Sequence, residues 1–316
     1  MDRNLNDEGC LHKYEIDLDI ADKKNFEITV GIKNNVMHGG YWWYVNDTEY
    51  GGVVEAVKVI TENNEIRYSG RSFRGVLMSK IIEPPNGSAY RIVSGNIGDV
   101  LQSLFRVCGL ESVFVADKSG ISINSYQFAR YTDLYTGLIK LGASIGMNLY
   151  LSVKDGIVHV SYVPVIDYSD RIEYNQNDVN FTLTKTYKGV NHLICLGQGE
   201  LQDRTVVHLY ADANGNISTS QSLYGVEEYV STYENTSAES VEDLVSGGTE
   251  RLKELIGSDA FEVTSSDTER HIGDVIGGYE SVTDAYVISS ITNIIVKLND
   301  DTVDISYSVG DATRKG

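Results

Sequence analysis

Between Lys13 and Ile20 the chain reads "KYEIDLDI", with an apolar side chain at every second position, and "NFEITVGI" repeats the pattern after the turn "ADKKN". A period of two sends alternate side chains to opposite faces, which a β-strand does and a helix does not. "VVEAVKVITENNEIRYSG" supplies two more such runs joined by the turn-forming "ENNE". The first ninety or so residues are therefore expected to be strands that close as a β-barrel or sandwich.

Near residue 94 the period changes. "IGDVLQSLFRVCGL" places Val100, Leu101, Leu104, Phe105 and Cys108 at helical spacing, and Gly109 ends the run. A second helix fits "YTDLYTGLIKLGASIG", with Thr132 as its N-cap. "NLYLSVKDGIVHVSYVPV" then reads as a hairpin turning on Asp155-Gly156. Beyond it come further strands, a turn at Asn214-Gly215, a third helix interrupted at Gly247-Gly248, and a closing hairpin at "NDD". The expected fold is mainly β with an α/β insertion: residues 1–93 a barrel, 94–166 a small α/β domain, and 167–316 a second barrel with an inserted α/β segment at about 222–262.

The charge narrows the function. Asp and Glu number 45 against 26 Lys and Arg, for a formal net charge of -19. Such a surface repels phosphate backbones and anionic lipid, so neither a sequence-specific nucleic-acid partner nor membrane adhesion is expected. No run approaches the ~20 apolar residues of a membrane span, and no secretory leader is visible at the N-terminus. Cys10, Cys108 and Cys195 are widely spaced in apolar surroundings, and are expected to be buried free thiols. The 21 tyrosines against 7 phenylalanines suit half-buried sheet faces and protein interfaces.

Patterns that carry chemistry fail on their context. "GASIG" matches the G-x-S-x-G elbow, but here a helix runs into Ser144 and a strand leaves it, the reverse of what an elbow needs. "DANGN" opens like a calcium loop, yet its sixth and twelfth positions hold Ile217 and Leu223. The six histidines show no metal-ligand spacing, and no glycine run is followed by a phosphate-binding Lys-Ser/Thr. No catalytic residue, cofactor or metal is expected. Two stretches stand out as candidate contact surfaces. "YWWY" brings Trp42 and Trp43, as a sugar platform or as one core anchor and one interface residue. "SGRSFRGVLMSKIIEPPNG", from Ser69 to Gly87, reads as a strand with Phe73, Val76 and Met78 inward and a basic face of Arg71, Arg74 and Lys80. The Pro84-Pro85 pair ends it, since proline donates no ladder hydrogen bond.

Taken in order, "TEYGGVVEAVKV", "GRSFRGVLMSKIIEPPNG", "TDLYTGLIKLGASIGMNLYL", "GVNHLICLGQGE" and "IGDVIGGYESVTDAYVISS" resemble the hub protein of phage and prophage tail tips. The likeness is to siphophage-type hubs of Gram-positive hosts, and runs from about Leu11 to Gly310. Its most specific pieces are the arginine-flanked Gly75 with its "IIEPP" stop, and "GVNHLICLG". Such hubs are similar to the central baseplate hub of contractile phages. The resemblance implies two tail-tube-like β-barrel domains per chain and a homotrimeric ring lining the DNA conduit. It further implies partners above and below: the tail tube or distal tail protein, the tape-measure protein, and a spike, fibre or other tail-tip protein. It places the chain in the virion tail tip after synthesis in the host cytoplasm, and carries no catalytic motif with it. On that basis Arg71, Arg74 and Lys80 are expected to meet carboxylates of a neighbouring subunit. The alternatives are a tail-associated cell-wall hydrolase and a carbohydrate-binding receptor module built on Trp42 and Trp43.

Overall fold

The structure is a computed structural model, and it describes residues 1–169, 180–184, 189–213, 215–256, 260–265, 270–280, 285–310 and 313–314. By its contacts the chain forms two compact units, residues 1–182 with 261–316, and residues 183–260.

In the first unit the alternating runs become strands. β1 (Tyr14–Asp19) and β2 (Asn25–Gly31) pair antiparallel, with Ile16 opposite Ile28 and Leu18 opposite Phe26. All four side chains are buried. β3 (Trp42–Tyr44), β4 (Gly51–Ile60) and β5 (Glu65–Ser72) continue the sheet in the order β2-β5-β4-β3.

The chain does not stay extended after Ser72, so the reading of Ser69–Gly87 as one strand is corrected there. α1 (Phe73–Met78) begins at once, with Ser72 Oγ accepting a hydrogen bond from the Gly75 N–H at 3.3 Å. Phe73, Val76 and Leu77 recur at the i, i+3, i+4 spacing of a helix and are buried, while Met78, expected inside, is exposed. Six residues hold less than two helical turns, too few for either period to declare itself. Gly75 permits the arrangement, because a Cβ there would lie 2.3 Å from the Lys24 carbonyl oxygen.

β6 (Ile92–Asn96), α2 (Ile97–Val107), β7 (Phe114–Ala116), β8 (Ser122–Gln127), α3 (Leu134–Ser144), β9 (Met147–Lys154) and β10 (Ile157–Pro164) follow. β7, β10 and β9 form a three-stranded sheet, and β6 pairs β8. Phe73 and Leu77 of α1 join Leu101, Phe105, Phe114, Leu138, Leu151 and Val158 in one core. The Asp155-Gly156 turn has both residues at positive φ, +50° and +79°, which matches the right-handed twist of β9 and β10. Asp133, not Thr132, caps α3, its carboxylate accepting from the Thr136 N–H at 2.8 Å. Ser144 closes that helix by donating to the Leu141 carbonyl at 2.7 Å, in line with a helix stop.

β11 (Asn180–Thr184) lies at the end of the large sheet. In the second unit β12 (His192–Leu196), β13 (Val206–Ala211), β14 (Ile217–Ser218) and β15 (Val230–Glu234) form a sheet of order β14-β13-β12-β15. Asn214, half of the expected Asn214-Gly215 turn, lies outside the described residues. α4 (Val241–Leu255) covers this sheet through Leu244 and Leu252. It is continuous where an interruption at Gly247-Gly248 is expected. The glycines serve packing: a Cβ on Gly248 would meet the Cys195 sulfur at 2.4 Å.

The chain then returns to the first unit through β16 (Ala260–Ser265), β17 (Val275–Glu280), β18 (Ala285–Asn299), β19 (Val303–Val309) and β20 (Thr313–Arg314). N-terminal and C-terminal strands share one sheet, because β1 pairs with the second half of β18. β18 has 15 residues. At about 3.3 Å per residue it has between two and three times the reach of a usual strand of about 5–6 residues. Its first half can therefore serve β17 and β20 while its second half serves β1. The fold is mainly β with α insertions, its large sheet curled as a half-barrel.

Candidate docking cleft

The five residues singled out by sequence part company in the structure. Arg74 is buried, its side chain only 2% exposed, and it does not reach a surface. Its fork grips Glu49, with Nε to Oε2 at 2.6 Å and Nη2 to Oε1 at 3.2 Å, and it donates further to Tyr135 Oη and the Leu149 carbonyl. Burial works against its charge, but Glu49 and Tyr135 outweigh that and hold the guanidinium above its ordinary range. Arg74 is thus an intrachain clamp, which corrects its placement on an interface face. Trp43 is also internal, packed edge-on to Phe26 at 5.1 Å between ring centres. The adjacent tryptophans point to opposite faces of β3, as strand geometry requires, so they cannot form a common sugar platform.

Trp42, Arg71 and Lys80, by contrast, converge. They line a cleft of about 610 Å³. Its apolar floor is Leu5, Trp42, Val53, Val76, Leu110 and Val113, with Trp42 stacked on Phe73 at 6.2 Å. Arg3, Arg71 and Lys80 stand around it, and no carboxylate is among the lining residues. Each wall has a local cause. Met1 and Trp42 exchange two hydrogen bonds, N–H to carbonyl at 2.8 and 3.0 Å, which lay the N-terminal arm along β3. The Arg3 Nε–H donates to the Gly39 carbonyl at 2.7 Å. α1 ends at Ser79, and the Lys80 carbonyl then accepts from the Leu134 N–H at 2.7 Å, fixing Lys80 at the rim.

Two open hollows adjoin this cleft. One, of about 500 Å³, shares Arg71 and Ser79 and adds Lys23, Lys24 and Glu55. The other, of about 480 Å³, shares Lys80 and adds Glu83, Arg91 and Cys108. Arg71 is answered within the chain by Glu55, 2.6 Å away. Among the described residues no ion pair is present for Arg3, Lys23, Lys24, Lys80 or Arg91. A belt of positive charge therefore surrounds the C-terminal end of α1 in a strongly acidic protein. Arg3, Lys23, Lys24 and Arg91 escape sequence reading because they are far from Arg71 in the chain and nothing local marks them.

The remaining candidates are structural. His159 meets Asp117 at 2.7 Å on an open strand. Cys108 is partly buried, and that burial lifts its thiol above the ordinary range despite the neighbouring Lys80 and Arg91. Cys10 is exposed, which corrects the expectation that all three thiols are internal, and Cys195 is buried. No group of three or more metal-ligating side chains is found among the described residues. No helix of the described residues is long and apolar enough to cross a membrane.

No family model and no curated protein matches the chain. Solved structures do. The 43 kDa tail protein of prophage MuSo2 from Shewanella oneidensis is similar at 12% identity and a TM-score of 0.48, over 95% of this chain and 94% of that one. The tail protein from Neisseria meningitidis MC58 is similar at 13% identity and a TM-score of 0.44, over 96% and 92%. Prophage tail protein gp18 from Listeria monocytogenes EGD-e is similar at 12% identity and a TM-score of 0.44, over 96% and 90%. All three of those structures are of tail proteins.

Proposed function

We propose that this chain is a non-enzymatic structural hub of a phage or prophage tail tip. In this reading three copies form a ring that joins the tail tube to a distal spike or fibre and lines the DNA conduit. The observation that carries it is what the segment of most specific resemblance, Ser69–Gly87, builds. That segment supplies Arg71, Val76, Ser79 and Lys80 to an apolar cleft with a cationic rim. Such a surface suits an acidic polypeptide neighbour, since positive rims steer and orient negatively charged partners around an apolar contact. Other copies of a chain with a formal net charge of -19 are neighbours of that kind. Carboxylates facing the conduit would also keep passing DNA from adhering, although each acts over only ~8–10 Å at physiological salt.

Deleting the gene from the phage or prophage that encodes it tests this reading. Particles with incomplete or missing tails are expected, restored by the chain supplied in trans. Normal, infectious particles in the deletion strain would refute it. Clearing of host cell wall by the purified chain, lost on a single Asp or Glu substitution, would instead favour a hydrolase. Polysaccharide binding lost with Trp42→Ala would favour a receptor module.

A further inference from the structure

The second unit carries a surface that matches the cleft in polarity and in sign. Between β14 and β15 the chain makes a tight turn, with the Glu227 N–H bonded to the Tyr224 carbonyl and the Glu228 N–H to the Gly225 carbonyl. Val226 at its tip is 90% exposed, Tyr224 63% and Tyr229 59%. Glu227 is exposed beside them, and its carboxylate forms no ion pair among the described residues. Large apolar side chains held this far into water mark a contact surface when they cluster.

The turn is also held in place. The Asn191 side chain donates to the Glu227 carbonyl at 2.6 Å and accepts from the Tyr229 N–H at 2.9 Å. Glu228 is 2.6 Å from His192 Nδ1 and accepts from the Gln221 amide at 2.9 Å. Tyr224 donates its hydroxyl to the Gln221 carbonyl at 2.9 Å. A protruding loop fixed by side chains on its flanks loses little freedom on docking, which is what makes a knob effective.

We propose that the Tyr224–Tyr229 knob of one copy docks in the cationic cleft of a second copy. Val226 would lie against Trp42, and Glu227 would face Lys80 and Arg3. The proposal rests on the hub reading and adds the surfaces that join its subunits. Knob and cleft are different patches, so the contact is head-to-tail, and repetition of such a contact closes a ring or runs on as a filament. The match is one of charge and polarity together: an apolar floor without carboxylates, and an apolar tip beside the exposed carboxylate of Glu227.

The test uses the full chain with a photo-crosslinking p-benzoylphenylalanine at position 226, as an equal mixture of isotope-labelled and unlabelled protein. Mixed-isotope crosslinks from position 226 to Trp42, to 76–80 or to 109–113 are expected. Lys80→Glu is expected to lower their yield about tenfold, as reversing one charge at a partly desolvated contact does. Combining Lys80→Glu with Glu227→Lys is expected to restore it. Crosslinks confined to one chain, crosslinks to another surface, no crosslink, or no rescue by the double reversal would each overturn the proposal. Failure here is separable from failure of the hub reading: a chain present in purified tails but lacking the 226-to-cleft crosslink sinks the contact alone. A chain absent from tails sinks the reading, whatever the crosslinks show.

Discussion

Arg71 and Arg74 are three residues apart and identical in type, yet they do different work. Arg71 meets Glu55 where both side chains are 40% exposed, and water screens most of that attraction. Arg74 meets Glu49 in the interior, where losing one partner strands the other charge. Arg74→Ala is therefore expected to cost about 3–5 kcal/mol in urea unfolding, and Arg71→Ala under about 1 kcal/mol. Equal, small losses would show that the interior clamp is misassigned. Sequence made the arginines conspicuous but could not rank them, because Glu49 lies 25 residues before Arg74 and no spacing rule connects the two.

Two phenols, half-buried Tyr50 and buried Tyr162, give a pH dependence at the same scale. Burial raises Tyr50 to about 12, helped by Glu49, and burial likewise pushes Tyr162 up where its hydroxyl donates to the Leu138 carbonyl. A folded-state value above the unfolded one of about 10 means that folding favours the neutral phenol. The contribution is full below pH 10 and is lost as pH rises through the folded values. Stability should be level from pH 7 to 9 and fall above pH 10, by up to about 1.4 kcal/mol per pH unit for each such phenol. Tyr162→Phe should make that alkaline fall shallower. An unchanged slope in the variant would contradict the assignment.

At the scale of elements, the sequence is most legible where a period runs long. β1, β2, β4 and β5 follow from alternation over six to ten residues. The 11-residue α2 follows from its apolar stripe. Legibility fails at α1, which is too short to show a period, and at α4, where paired glycines look like a break. The reason for that pair lies across the packing interface. Gly248 sits over Cys195 and Leu209 of the sheet, while a Cβ on Gly247 would meet only the hydroxyl end of Tyr233, at 2.7 Å. Alanine gains up to about 1 kcal/mol of helix propensity over glycine, but overfilling a core costs about 1–3 kcal/mol. Gly248→Ala should therefore lower the melting temperature, and Gly247→Ala should leave it unchanged or raise it. The opposite order would mean that α4 packs in another rotation.

At the scale of the whole molecule, the mainly β class with α insertions could be read from the residues, and the site only in part. Trp42, Arg71 and Lys80 were visible as individuals. Their convergence was not, since it depends on α1 folding back and on Met1 bonding to Trp42. The joining of N-terminal and C-terminal strands through β18 was hidden for a similar reason: register between distant strands, such as Glu15 opposite Asn299, leaves no local trace. The first unit offers a cationic, apolar cleft and the second an exposed apolar knob beside Glu227.

Where the chain resides, and how many copies meet there, decides whether it is a hub. A density map of purified tails, with this chain fitted to it, is the direct measurement. Three copies around the tail axis at the distal end of the tube are expected, with the α1 cleft turned toward an adjoining copy. A tail tip in which the chain has no density, or in which it lies off the axis as a single copy, would contradict it.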